Sequence, residues 1–219
     1  MQRFDMKKKL LIFDLDGTIA DTIYSIRDGV NMALEKHGFS ERNYEQIRQA
    51  IGNGARELIR RSMLEDKRED ALVDAVFADY DRCYELTYAN IDGCYPNMHE
   101  AISALRARGY TVAVLSNKQD RYVKKIVEIL FPDGEISYAE GQTALPKKPD
   151  PTVALMIADR FGAAPCECAF IGDSDVDVKT AKNAGMTSVA CSWGYRPVCE
   201  LAGADVIIDR AEELLNIFE

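Results

Sequence analysis

The fold is decided by one stretch, Lys9-Leu10-Leu11-Ile12-Phe13-Asp14-Leu15-Asp16-Gly17-Thr18. Its four consecutive apolar residues predict a short strand that is buried on both faces, as in the middle of a parallel sheet. The strand runs into Asp14 and Asp16 at its carboxyl end, where open α/β sheets place their ligand sites. Because residues i and i+2 of an extended segment share a face, both carboxylates can reach one bound group.

Two other interpretations of this stretch are a plain turn and a calcium-binding loop. A strand followed by an Asp-Gly turn explains the same residues and stays open at this point. A calcium loop is excluded, because its first and twelfth positions would be Ile12 and Ile23, which offer no oxygen ligand.

The composition bounds the class of protein. With 219 residues, 47% hydrophobic and 29% charged, the chain has the make-up of a soluble globular protein. Its net charge of −9 disfavours nucleic acid and acidic membrane surfaces, so an anionic substrate needs a local positive site. No stretch approaches the roughly 18 apolar residues of a membrane span. We therefore expect no nucleic acid partner and no membrane partner.

The cysteines show no metal-binding spacing. They are Cys83, Cys94, Cys166, Cys168, Cys191 and Cys199. Because Cys166-Glu167-Cys168 is not the spacing of a zinc knuckle, we interpret all of them as reduced thiols of a cytoplasmic protein.

A helical block follows the first strand. Apolar residues at three- and four-residue steps predict a helix from Ile23 to Gly38, then shorter helices, and a long helix from Asp70 to Ile91. The apolar stripe of the long helix includes Tyr80, Tyr84 and Tyr88. We interpret these tyrosines as packing residues rather than as a cofactor site.

Beyond residue 92, strands and helices alternate. Strands are predicted at 110–115, 136–139, 168–171, 187–191 and 205–208. This alternation is typical of a parallel sheet with helices on both faces. We therefore expect an α/β, Rossmann-like core formed by residues 1–19 and 92–219, with a small helical cap domain inserted at 20–91.

Polar residues stand at the ends of three predicted strands. These residues are Asp14, Ser116 and Asp173, and a parallel sheet brings such strand ends to one edge. Asp173 and Asp177 lie four residues apart at a helix start and share a face of its first turn. A helix cap explains Asp173 or Ser174 alone, but it does not explain four carboxylates at one edge.

Charge repulsion indicates what these carboxylates hold. Two unit charges about 4 Å apart repel by roughly 4 kcal/mol at an effective dielectric near 20. A hard dication offsets that repulsion, and few carboxylates with room for water and phosphate suit Mg²⁺ better than Ca²⁺. Lys148, in a stiff proline-rich loop, is a candidate phosphate partner, and a solvated surface lysine is the alternative.

Four motifs in this order resemble the haloacid dehalogenase superfamily, and the resemblance covers the whole chain. They are Asp14-x-Asp16-x-Thr18, Ser116-Asn117, Lys148-Pro149 and Gly172-Asp173-x-x-x-Asp177, with a helical insert after the first. The resemblance implies a Rossmann-like core with a small cap, Mg²⁺, and phosphoryl transfer through an aspartyl-phosphate.

The resemblance also implies roles for the motif residues. Asp14 is expected to be the nucleophile and Asp16 the general acid and base. Residues expected to bind the substrate are Thr18, Ser116, Asn117 and Lys148. The expected metal ligands are Asp14, Asp173, Asp177 and the backbone carbonyl of Asp16.

Further residues narrow the reaction within the superfamily. The dehalogenases lack a second acid at Asp16, so its presence favours phosphate ester hydrolysis. Similar sugar phosphomutases commonly carry Val at the position of Thr18.

The loop Gly52-Asn53-Gly54-Ala55-Arg56 resembles the substrate loop of phosphoglycolate phosphatases, with Gly54 and Arg56 as expected substrate contacts, although a plain helix-helix turn stays open. The stretch Trp193-Gly194-Tyr195-Arg196 recurs in the same group, but the sequence assigns it no role.

Together these features predict a Mg²⁺-dependent phosphatase for a small phosphorylated metabolite, with 2-phosphoglycolate as the first candidate. Pyrophosphate and sugar phosphates are alternative substrates, a mutase is an alternative enzyme, and a non-catalytic binding module of the same fold is an alternative class. We expect a monomer or a homodimer.

Overall fold

The computed structural model describes residues 8–219, and it has an α/β architecture. The first seven residues of the expected core domain lie outside the described part. Six strands form one sheet: β1 (Leu10–Phe13), β2 (Thr111–Gln119), β3 (Tyr138–Gln142), β4 (Cys168–Gly172), β5 (Thr187–Cys191) and β6 (Val206–Ile208). All of their pairings are parallel, in the order β3-β2-β1-β4-β5-β6. The expected Rossmann-like sheet is confirmed.

Strand β1 lies in the middle of this sheet. Its end residue Phe13 pairs with Val114 of β2 on one side and with Ile171 of β4 on the other. Leu10–Phe13 is completely buried, which explains why the strand reads as an uninterrupted apolar run. The direction in which strands are added reverses between β1 and β4, and such a reversal opens a crevice at the carboxyl ends of the strands.

Two strands differ from the prediction. β2 continues to Gln119, because Ser116 and Asn117 are buried and extend the strand past its apolar run. β3 is Tyr138–Gln142 rather than 136–139. β3 is an edge strand and only partly buried, so apolar residues are a poor guide to its position.

Helices make up the unit Asp21–Asp92, which is compact by itself. They are α1 (Ile23–Lys36), α2 (Tyr44–Ala50), α3 (Ala55–Ser62) and α4 (Asp70–Thr87). The predicted extension of α4 to Ile91 is wrong, because Asn90 donates its N–H to the carbonyl of Thr87 in a tight turn. Tyr80 and Tyr84 are buried and stack at 5.4 Å, as expected of packing residues.

The second unit comprises the described residues up to Ala20 together with Gly93–Glu219. Its helices are α5 (Met98–Ala107), α6 (Asp120–Leu130), α7 (Thr152–Arg160), α8 (Asp175–Ala184) and the short α9 (Leu214–Ile217). The chain leaves and re-enters this unit side by side, because Ala20 forms a bridge with Cys94. Within residues 8–219, we find no helix with both the length and the apolar character needed to cross a membrane.

Candidate active site

Asp14 is the first residue after β1. Its backbone N–H donates to the carbonyl of Ile171 at 2.9 Å, and its Oδ1 accepts the N–H of Leu15 at 2.7 Å. These bonds hold the carboxylate at the point where the strand order reverses. The side chain is 13% exposed, so it is largely buried but open to a ligand.

A tight turn follows Asp14. The N–H groups of Ile19 and Ala20 both donate to the carbonyl of Leu15, at 3.0 and 3.1 Å. Gly17 adopts a φ of +82°, and a Cβ at this position would lie 2.5 Å from Oδ2 of Asp173. Glycine is therefore required here both for the backbone conformation and for the close approach of Asp173.

Asp173 follows β4, and hydrogen bonds hold both of its oxygens. The hydroxyl of Thr18 donates to Oδ1 at 3.0 Å, and the N–H of Tyr195 donates to Oδ2 at 2.8 Å. The indole of Trp193 donates to the carbonyl of Thr18 at 3.2 Å. A Cβ at Gly194 would lie only 2.1 Å from Cβ of Asp173. The stretch that the sequence left without a role therefore positions this carboxylate.

Asp177 lies in the first turn of α8. Its Oδ2 accepts hydrogen bonds from the backbone N–H and the hydroxyl of Ser174, at 3.1 and 2.6 Å. Ser174 in return caps the helix by accepting the N–H of Asp177. A Cβ at Gly172 would lie 2.3 Å from Cβ of Asp177. The cap interpretation of Ser174 is thus correct, and the cap orients a carboxylate as well.

Lys148 joins two of the acids. Its ammonium is 2.7 Å from Oδ1 of Asp177 and 3.0 Å from Oδ1 of Asp14, and the residue is 3% exposed. The side chain of Asn117 accepts the N–H of Lys148 at 2.9 Å and donates to its carbonyl at 3.0 Å. The surface interpretation of Lys148 is therefore wrong, since the lysine is buried and held from both sides.

Asp16 has a separate cation. Its Oδ1 lies 2.9 Å from the ammonium of Lys118, and the side chains are 12% and 7% exposed. Sequence reasoning assigned no role to Lys118, because β2 was expected to end at residue 115. The position of Lys118 directly after Ser116 and Asn117, at the end of a buried strand, is the signal in the sequence that could have indicated its place in the site.

Three of the expected metal ligands lie together. Asp14, Asp173 and Asp177 each offer an oxygen within 4.8 Å of the others, and in the described part of the chain these residues form the group suited to a metal ion. Burial raises the pKa of Asp14 to about 6 despite Lys148, and burial with the charges of Asp177 and Asp14 raises the pKa of Asp173 to about 8. It is therefore unfavourable for these carboxylates to be ionised together in this space. A divalent cation would relieve that repulsion, so the donor set fits one.

Lys148 keeps its positive charge among these carboxylates. Burial lowers the pKa of its ammonium, but Asp14 and Asp177 outweigh that effect and hold the pKa above its ordinary value. One cation among three carboxylates leaves the group short of positive charge. The site can therefore accept both a metal ion and, with the metal in place, a phosphate.

The other expected substrate residues occupy two places. Ser116 is buried at the same end of β2, where its hydroxyl accepts the N–H of Lys118 at 3.4 Å. Gly54 precedes α3 in the helical unit with a φ of +86°, and Arg56 pairs there with Asp70 and Asp74. Contact of Thr18, Ser116, Asn117, Gly54 and Arg56 with a substrate stays a prediction, as does the carbonyl of Asp16 as a metal ligand.

Comparison with known proteins places this site in context. Residues 8–185 match the sequence model of haloacid dehalogenase-like hydrolases. The chain is 32% identical over 215 residues to phosphoglycolate phosphatase 1 of Pseudomonas aeruginosa, covering 94% of this chain and 78% of the relative. It is 31% identical to a phosphoglycolate phosphatase of Mannheimia succiniciproducens, covering 95% and 97%.

A solved structure shows the same similarity to phosphoglycolate phosphatases as the sequence relatives do. A crystal structure described as that of a predicted phosphoglycolate phosphatase from Haemophilus somnus superimposes with a TM-score of 0.90 at 29% identity. The superposition covers 98% of this chain and all of the other. The similarity therefore extends over both the sheet and the helical unit.

Proposed function

The chain belongs to the haloacid dehalogenase-like hydrolases, and on that basis we propose that it is a Mg²⁺-dependent phosphatase whose substrate is 2-phosphoglycolate. The observation that carries the proposal is the position of Asp14. It lies at the switch point of the sheet, within 4.8 Å of two further acids and 3.0 Å from a buried lysine. The substrate is inferred from the phosphoglycolate phosphatases among the relatives.

The reaction uses two carboxylates in different roles. An oxygen of Asp14 attacks phosphorus, the bond from phosphorus to the ester oxygen breaks, and Asp16 gives its proton to that leaving oxygen. Water then attacks phosphorus of the aspartyl-phosphate and loses a proton to Asp16. The bond from phosphorus to Asp14 breaks, phosphate leaves, and both acids return to their starting states.

Separate environments support separate roles. Asp14 must be ionised to attack, and the ammonium of Lys148 favours that form. Asp16 pairs with a different cation, Lys118, so it does not compete with Asp14 for Lys148. Ser116 and Lys148 bind the transferred phosphoryl group. Asp14, Asp173 and Asp177 would hold the Mg²⁺, which would supply positive charge to offset the negative charge of the phosphoryl oxygens.

The helical unit is the proposed cap of the enzyme, with Gly54 and Arg56 as substrate contacts. The guanidinium of Arg56 is already bound by Asp74 and Asp70, at 2.7 and 2.9 Å. To bind a substrate, Arg56 would have to exchange these partners.

Phosphate release from a substrate panel tests the proposal. We expect the purified protein with Mg²⁺ to hydrolyse 2-phosphoglycolate faster than pyrophosphate, glucose phosphates or an aryl phosphate. Faster hydrolysis of another compound in the panel would make that compound the proposed substrate in place of 2-phosphoglycolate. Isomerisation of a sugar phosphate would favour the mutase, and no turnover of any member would favour the binding module.

Asp14→Asn is the matched control for that assay. The change keeps the size of the side chain and removes its nucleophilic oxygen, so turnover should fall by about 10³-fold or more while the fold persists. Circular dichroism checks the fold. Near-normal turnover by the folded variant would remove Asp14 from the role of nucleophile.

A further inference from the structure

The pair of Lys118 and Asp16 is a feature that phosphoryl transfer does not by itself explain. Transfer needs cations at the phosphoryl group, and Lys148 with the metal site already supplies them. Lys118 instead contacts the acid that serves the leaving group, at 2.9 Å, and its side chain is only 7% exposed. A lysine is rarely buried to this degree unless it is paired.

The structure of the leaving group suggests what else such a cation could bind. In 2-phosphoglycolate, the ester oxygen is joined to a methylene carbon, and that carbon carries the carboxylate. The carboxylate carbon is therefore two covalent bonds from the oxygen that must receive the proton of Asp16. A group within hydrogen-bond distance of Asp16 can therefore reach that carboxylate when Asp16 contacts the ester oxygen.

We propose that Lys118 binds the carboxylate of the substrate and so selects phosphate esters that carry an acid group next to the ester carbon. This inference rests on the proposed function. It assigns specificity to the end of β2, where Ser116, two residues before Lys118, is proposed to bind the phosphoryl group. One strand end would thus contact both charged groups of a small substrate.

Other cations are less suited to this role. Lys148 is bound between Asp14 and Asp177 and belongs to the phosphoryl site. The guanidinium of Arg56 is held in an exposed network with Asp70 and Asp74. Lys118 combines low exposure with contact to the proton donor, and this combination is what recognition of a leaving-group carboxylate requires.

Burial also explains how Lys118 would reject other substrates. A substrate carboxylate provides an anionic partner for a cation that is shielded from water, whereas an alkyl group would leave part of the ammonium facing a nonpolar surface. Loss of one charge-assisted hydrogen bond in such a site typically costs a factor of about 10 to 100 in binding. Sites built around polar contacts discriminate strongly for this reason.

The experiment compares 2-phosphoglycolate with ethyl phosphate, which has the same chain length but no carboxylate. For the wild type we expect kcat/KM to favour 2-phosphoglycolate. In Lys118→Met that preference should fall about 10- to 100-fold, mainly through KM. Lys118→Arg keeps a cation and should retain part of the preference. Lys124→Met, which removes a lysine from an exposed pair with Asp120, should leave it unchanged.

Several outcomes would overturn the inference. If Lys118→Met lowers kcat/KM for both esters by the same factor, Lys118 only positions Asp16. If the wild type hydrolyses both esters equally, the carboxylate is not recognised, although the phosphatase activity itself would stand.

Calorimetry separates failure of this inference from failure of the proposed function. If neither ester is hydrolysed, the proposed function fails, but binding of the two esters to the wild type and to the variant still tests Lys118. Should Lys118→Met not fold, Lys118→Gln retains a polar side chain and serves the same comparison. Equal binding of both esters by wild type and variant would refute the role of Lys118.

Discussion

The hydroxyl of Thr18 donates a hydrogen bond of 3.0 Å to Oδ1 of Asp173, although the two residues are 155 positions apart. Both residues are buried, at 0% and 3% exposure. The bond links the turn after β1 to the end of β4, so that each strand end helps to shape the other. Partners of this kind commonly set the orientation of a metal ligand.

Thr18→Val should weaken metal binding. Valine has the shape of threonine but donates no hydrogen bond, so Asp173 would lose the partner of Oδ1. We expect the affinity for Mg²⁺ to fall about 10- to 100-fold, as is typical when a partner of a metal ligand is removed. Titration of the free protein with Mn²⁺, followed by electron paramagnetic resonance, measures this without an activity assay.

Thr180→Val is the matched control for Thr18→Val. Thr180 is an equally buried threonine, but its hydroxyl donates to the carbonyl of Val176 within α8. Unchanged Mn²⁺ affinity in this variant would show that loss of a buried hydroxyl is not sufficient. Equal losses in both variants would contradict a specific role for Thr18.

Gly194→Ala should displace Asp173. The added Cβ would lie 2.1 Å from Cβ of Asp173, well inside any normal contact, so the backbone or the acid must move. We expect Mg²⁺-dependent turnover to fall by at least about 10-fold, with weaker Mn²⁺ binding. In Gly203→Ala the new Cβ would meet its nearest neighbours at 3.5 Å, and this variant should behave like the wild type. Normal metal binding by Gly194→Ala would contradict the close approach.

The buried strands could be predicted from sequence because burial on both faces leaves a local pattern. β1, β4 and β5 are short apolar runs, and they lie within one residue of their predicted positions. β3 is a partly exposed edge strand without such a run, and the prediction misplaced it. The end of α4 was also misplaced, since the apolar stripe continues past Thr87 while the backbone turns.

The acids of the site could be predicted because parallel strands place their ends at one edge. Asp14, Asp173 and Asp177 meet there as expected. Their partners could not be found in the same way. Trp193 contacts Thr18 across 175 positions, and Lys118 contacts Asp16 across 102, so no local pattern records either pair.

Lys148→Met should destabilise the metal-free protein. Removal of the ammonium leaves Asp14 and Asp177 close together and without their shared cation. Breaking a buried ion pair in this way typically costs about 3 to 5 kcal/mol in the free energy of unfolding. Urea denaturation in the presence of EDTA measures the change.

Lys179→Met provides the comparison for Lys148→Met. Lys179 pairs with Asp175 on the surface, where its side chain is 61% exposed. Surface pairs contribute about 1 kcal/mol or less, so this variant should unfold almost like the wild type. Similar losses in both variants would show that the site does not depend on Lys148 for charge balance.

The stability of the metal-free protein should fall as the pH rises from about 4 to about 8. The pKa of Asp14 is raised to about 6 and that of Asp173 to about 8, whereas an unfolded carboxyl titrates near 4. Because these pKa values are raised, the folded state binds more protons than the unfolded state between them. The stability that this proton binding contributes is complete below about pH 4 and is lost as the pH rises through about 8. Urea denaturation with EDTA should show this decline in the free energy of unfolding, and Mg²⁺ should restore most of the lost stability at pH 8. Asp173→Asn removes one of the two groups and should flatten the decline. A rise in stability over the same range would contradict the charge repulsion on which the metal site is inferred.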